Sequence, residues 1–210
     1  YLAVSCLYLT ALDGVKYAVN CGKTPDELLK ELSKTAGEDA DYLQKEREYR
    51  CEKNVFEDYT QEERDAVFGK PPATVWENVK IMKENPDKVA VLTQGDGISD
   101  AIVDSFVAGI VYRWENELID RLIPDTEAAV KRYKKLIHED ELDEERWDSI
   151  SAKRIELIKD GRHKKCICTK LKEALKRKDY DMASNLQREM VRKTEALGEE
   201  YRTYALNIID

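Results

Sequence analysis

Residues 171–197 read LKEALKRKDYDMASNLQREMVRKTEAL, and this stretch decides the fold. Apolar positions recur at helical spacing on both sides of Lys178-Asp179-Tyr180-Asp181, a short polar break. The pattern predicts two antiparallel helices folded back on each other around that break. On the first arm Cys168, Leu171 and Leu175 are separated by three and four residues. On the second, Ala183, Met190, Leu197 and Tyr204 fall seven apart, with Leu186 three after Ala183. Seams of this period pack by inserting knobs into holes, and the small Ala183 permits close approach near the turn. A hairpin alone buries little apolar surface, so it requires either the rest of the chain or another molecule. The expectation is that its apolar side meets a partner. The residues that would carry that contact are Leu171, Leu175, Tyr180, Ala183, Leu186, Met190 and Leu197.

The hairpin resembles the UVR motif, shared by two subunits of the bacterial excision-repair nuclease and found in stress-kinase activators and Clp-linked plastid proteins. Leu171, Leu175, Asp179, Tyr180, Asp181, Ala183, Leu186 and Met190 match its pattern. Ser184 stands where a second Ala is usual, and Gln187-Arg188 where Arg-Asp is usual. The resemblance covers residues 171–197 only. It implies pairing with a second hairpin into a four-helix bundle, and hence an adaptor role.

Working outward, helix starts are well marked. Thr24-Pro25-Asp26-Glu27 and Thr60-Gln61-Glu62-Glu63 both carry capping-box chemistry, in which the Thr hydroxyl and the Glu carboxylate satisfy each other's backbone amides. The first start leads into a helix with Leu28, Leu29 and Leu32 on its stripe, ended by Gly37; the second leads into a short helix closed by Gly69. Between them a helix is expected over residues 39–58, with Tyr42, Leu43, Tyr49 and Val55 as its apolar positions. Further on, helices are expected over 74–84, 98–122 and from Pro124. Ile102, Phe106, Ile110, Trp114 and Leu118 mark the second of these as the central core helix. Lys88 to Thr93, KVAVLT, is the one strand candidate, although an isolated strand makes no sheet. Residues 142–178 are helix formers interrupted by Gly161, where a break is expected.

Residues 1–20, YLAVSCLYLTALDGVKYAVN, are the most apolar part. Asp13, Gly14 and Lys16 interrupt the run too early for a bilayer crossing. A buried core helix is expected there, ahead of the tail of a membrane span.

Composition agrees with a helical protein. Of 210 residues, 42% are hydrophobic, enough for a core, and 37% are charged, well above the usual quarter. With 9 Gly and 5 Pro there are too few turn formers for an all-β chain. The net charge of −8 is uneven. Residues 1–100 hold 13 basic and 20 acidic residues, whereas residues 151–193 hold 14 basic and 6 acidic. Lys153, Arg154, Lys164, Lys165, Lys170 and Lys172 form a candidate basic surface within residues 153–178, suited to an acidic protein or, as the alternative, to nucleic acid. The five cysteines are odd in number in a chain that is not small, so a reducing intracellular compartment is expected. Cytoplasm or an organelle interior fits; with no initial Met, plastid stroma or mitochondrial matrix would follow removal of a targeting segment.

Catalytic patterns are sparse. Gln94-Gly95-Asp96-Gly97-Ile98-Ser99-Asp100 is similar to the fourth motif of haloacid-dehalogenase phosphatases, which binds Mg²⁺ through carboxylates, here Asp96 and Asp100. The Asp-x-Asp nucleophile of that family is missing, and without it the covalent phosphoryl step has no agent. The plainer reading is a glycine turn with Asp96 or Ser99 capping the next helix. His163-Lys164-Lys165-Cys166-Ile167-Cys168 lacks the paired spacing of a zinc site. No metal, cofactor or enzymatic activity is expected.

The sequence therefore predicts an all-α protein: an irregular helical body over residues 1–140, then a long antiparallel, coiled-coil-like arm over residues 141–210. The expected role is a non-enzymatic protein–protein interaction module, a scaffold or accessory subunit of a larger assembly.

Overall fold

The computed structural model describes residues 2–95, 97–136 and 141–209, of which 2 and 207–209 in backbone only. Helices run over Leu2–Asn20 (α1), Pro25–Leu32 (α2), Gln61–Val67 (α3), Val75–Glu84 (α4), Pro86–Ala90 (α5), Asp100–Glu117 (α6), Ile123–Arg132 (α7), Glu141–Ile158 (α8), Ile167–Lys176 (α9) and Tyr180–Ile209 (α10). No strand occurs among the described residues, and the fold is all-α. The chain divides into two compact units, Tyr1–Pro72 with Met82–Ile102, and Ala73–Ile81 with Val103–Asp210. This corrects the expected boundary at residue 140. The segment beyond it is not a separate arm, because helices before and after that point share one core.

In the second unit α10 is the axis. It runs beside α8 and α9, and α7 packs on α8. The predicted turn between α9 and α10 is closed by backbone geometry. Lys178 takes the left-handed conformation at φ 59°. Its amide bonds Leu175 O at 3.0 Å, and the Asp179 amide bonds Ala174 O at 3.0 Å, which satisfies the last carbonyls of α9. Asp179 then caps α10, its Oδ1 accepting from the Met182 amide at 3.1 Å. Two residues thus end one helix and start the next.

The core of this unit holds Trp114, Leu118, Ile123 and Val130 from the α6–α7 region, Ile150 and Leu157 from α8, and the inward faces of α9 and α10. The expectation that residues 98–122 form the central helix is corrected. A four-residue spacing turns the apolar row by about 40° per step, so five such residues cannot face one core. Accordingly Trp114 and Leu118 are buried, while Ile102 and Phe106 are exposed. Between α6 and α7 the chain makes a π turn over Leu118–Leu122. Pro124 follows it, with no amide to donate and a ring that crowds the preceding turn. At the other break, α8 stops at Ile158, and the Gly161 amide bonds Lys164 O at 2.8 Å before α9 begins.

The first unit contains α1, α2, α3, α5 and long connecting loops. Both predicted capping boxes are present, at Thr24–Glu27 and Thr60–Glu63. The α2 helix stops at Leu32 rather than at Gly37. Residues 39–58 form turns and loop, not the expected helix. At about 100° per residue, Val55 falls on the far side from Tyr42 and Tyr49, so no stripe exists to drive it. The KVAVLT segment is helical, ending α5 and continuing as a 3₁₀ turn over Val91–Thr93, so the strand candidate is also corrected.

Polar contacts supply much of this unit's order. Tyr17 and Tyr42 stack with ring centres 4.4 Å apart. Lys23 bridges Glu31 at 2.8 Å and Asp41 at 3.0 Å. The buried Lys34 ammonium donates to Lys45 O at 2.7 Å. Among the described residues of this unit, Ile98 is the one hydrophobic side chain that is buried.

Candidate functional site

The residues predicted to meet a partner are placed in the protein's own core. Leu171, Ala183, Met190 and Leu197 are fully buried, and Leu175 and Leu186 nearly so. They pack among Trp114, Leu118, Ile150 and Leu157. Tyr180 is half-buried, 4.8 Å from the Trp76 ring centre and 6.0 Å from that of Trp114. A hairpin seam needs cover, and α6, α7 and α8 supply it from the same chain. The expectation that this seam binds another molecule is therefore corrected.

The outer side of the hairpin is engaged as well. Each position that departs from the UVR pattern has an intramolecular partner. Ser184 and Thr74 share a hydrogen bond of 2.7 Å, Trp114 Nε1 donates to Gln187 at 2.8 Å, and Arg188 pairs with Glu77 at 3.0 Å. In the turn, Asp181 accepts from Trp76 Nε1 and Lys80, both at 3.2 Å. These contacts hold the first turns of α4 against α10. Beside them, Lys178 reaches the nearly buried Glu115 at 2.8 Å. Burial pushes the Glu115 carboxyl up, but hydrogen bonds from Lys178 and Tyr180 outweigh it and hold the group below the usual carboxylate range.

The basic set is largely neutralised. Lys153 pairs with Glu200 at 2.5 Å, Lys164 with Glu156 at 3.4 Å, Lys172 with Glu127 at 3.1 Å, and Lys165 with Glu173. Arg154 lies over the Trp147 ring and donates to Val130 O at 3.2 Å. Lys170 is exposed. A phosphate backbone would have to compete with these carboxylates for four of the six cations.

Asp96 lies outside the described residues. Asp100 is exposed in the first turn of α6, and the Ser99 hydroxyl accepts from the Ile102 amide at 3.4 Å, a capping contact. Cys166 caps α9, its Sγ accepting from the Thr169 amide at 3.4 Å. Cys168 is buried, which pushes its thiol up to about 12. Both cysteines behave as core side chains. Among the described residues no three His, Cys, Asp or Glu side chains converge as a metal site would require.

Of the helices, α1 carries the most exposed large hydrophobic side chains among the described residues. None of its described side chains is buried, which corrects the expected core helix. Val4, Leu7, Tyr8, Leu12, Val15 and Val19 are 47–76% exposed. At about 100° per residue these six, with Ala11 and Ala18, occupy one stripe about 140° wide. Asp13 and Lys16 fall outside the stripe; Asp13 accepts from Tyr42 at 2.6 Å and Lys16 donates to Gln94 at 3.4 Å. Tyr8, Leu12, Val15 and Val19 are separated by four, three and four residues, the spacing of a coiled-coil seam. That spacing was legible in the sequence, but it fits a buried helix equally well. Among the described residues no helix is long and apolar enough to cross a membrane.

Two of the surface clefts lie beside α1 and α10. One, about 260 Å³, lies between α1, α2 and the loop that follows, and is lined by residues that include Gly14, Tyr17, Leu28, Leu32, Tyr42 and Leu43. The other, an open groove of about 610 Å³ beside α10, is lined by Thr74, Asn185, Arg188, Val191, Arg192 and Glu195. Neither is lined by a Ser, Cys or His side chain that would join a nucleophile to a base. No protein-family model matches the chain, and no curated protein or solved structure is significantly similar to it.

Proposed function

We propose that this chain is a non-enzymatic protein–protein interaction module, an adaptor or accessory subunit, that docks through the outward stripe of α1 onto a helix of its partner. The observation that carries the reading is the apolar, charge-free stripe of α1 on a unit whose interior holds one buried hydrophobic side chain among the described residues. Such a unit gains little from its own core to offset the ordering of its chain, so a covering surface would stabilise it. The seam spacing selects a helix as that surface. Lipid is a poorer fit. A helix lying on a bilayer uses Lys and Arg on its polar face, whereas here Lys16 stands alone and residues 1–100 carry a balance of −7. The adaptor role implied by the UVR resemblance is retained, with its surface moved from the hairpin to α1.

A photo-crosslinking residue at Leu12, followed by mass spectrometry, tests the reading. The expected product is a protein helix joined to α1, lost when Val15→Glu places a charge in the stripe. Crosslinking to lipid alone, or to no macromolecule at all, would overturn it.

A further inference from the structure

We infer that the occupant of the α1 stripe is α1 of a second copy of this chain, packed antiparallel; the inference rests on the docking role proposed above. Helices that choose an unlike partner do so through charges flanking the seam. Here the positions flanking the seam hold Leu9, Ala11, Lys16 and Ala18, with Lys16 as the single charged side chain among them. Selection must then come from the sizes of the apolar side chains, and the stripe matches itself. An antiparallel pair centred between Asp13 and Gly14 sets the bulky Tyr8 against the small Val19, and Leu12 against Val15. Large opposite small is how facing positions interdigitate. A parallel pair would instead stack Tyr8 on Tyr8, large against large.

The area is sufficient. The exposed side chains of the stripe amount to roughly 600 Å², the upper end for the largest apolar patch on a monomer. Two copies would bury at most about 1,200 Å² together, the low end for specific interfaces. The dimer would also give the first unit the apolar cover that its interior lacks.

The test uses the full chain. Mass measured by light scattering across a dilution series is expected to double toward high concentration. Leu12→Glu with Val15→Glu is expected to return it to the monomer value with the helical circular dichroism unchanged, since both positions are solvent-exposed in the single chain. Geometry is read from disulfides. A mixture of Tyr8→Cys and Val19→Cys chains should oxidise to a covalent dimer. Tyr8→Cys alone should not, because the two copies of position 8 lie about 16 Å apart along the axis. The unsubstituted chain is the control, its Cys6 being on the inner side of α1. A monomer at every concentration, a doubled mass indifferent to both charges, or a disulfide between two Tyr8→Cys chains overturns the inference. A monomer whose Leu12 crosslinker captures a different protein overturns the self-pairing and leaves the docking role standing. Capture by uncharged lipid vesicles in place of dimerisation overturns both.

Discussion

Thr74 and Ser184 share a buried hydrogen bond of 2.7 Å across 110 positions of sequence. It ties the start of α4 to the first turns of α10, at the position where the hairpin departs from an Ala-rich pattern. Ser184→Ala, which makes the chain more like that pattern, is expected to destabilise it by about 1–2 kcal/mol, because the Thr74 hydroxyl loses its side-chain partner in a buried place. A double-mutant cycle with Thr74→Ala, followed by urea unfolding, should show the two effects to be coupled rather than additive.

Met190 lies in the predicted docking seam and is fully buried. Met190→Ala should lower stability by about 2–5 kcal/mol, as for other large-to-small core changes. A seam reserved for a partner would give almost no change in the isolated chain. The urea midpoint separates the two.

The Lys178–Glu115 pair predicts an acid limb. The folded Glu115 carboxyl lies below its usual range, so its contribution is complete above the unfolded value, about 4.3, and is lost as pH falls through the folded value. Glu156, held down by its hydrogen bond from Lys193, and Asp181, held down by those from Trp76 and Lys80, act with the same sign. Thermal unfolding should be flat above about pH 5 and fall steeply below about pH 4. Glu115→Gln should make that fall shallower.

Cysteine reactivity should divide along the core. Cys6, Cys21 and Cys51 are partly exposed, whereas Cys166 and Cys168 are buried. Burial and the raised Cys168 thiol, at about 12, deny an alkylating reagent the thiolate it attacks. Native alkylation near pH 8 is expected to modify the first three and spare the last two, read by peptide mass spectrometry. All five should react in denaturant.

The ion pairs over residues 153–173 predict weak binding to nucleic acid. Fluorescence anisotropy with a DNA duplex at physiological salt should show no saturable binding. Tight, steeply salt-dependent binding would restore the nucleic-acid alternative.

Local signals were read directly from the amino acids. Both Thr–Glu capping boxes, the Lys178–Asp181 turn and the break at Gly161 depend on neighbours a few residues apart, and periodicity marked the helices. Residues 39–58 are loop rather than helix, and KVAVLT is helical rather than extended, since neither stretch has a clear apolar period. Asp96 and residues 137–140 lie outside the described set.

The sequence by itself determined an all-α protein, because helical period and caps are local properties of the chain. Which apolar face is covered was decided only by tertiary structure, since burial depends on what arrives from distant residues. Met190 and Val15 sit on stripes of the same spacing. The first is enclosed by helices α6 to α9, and the second still faces outward.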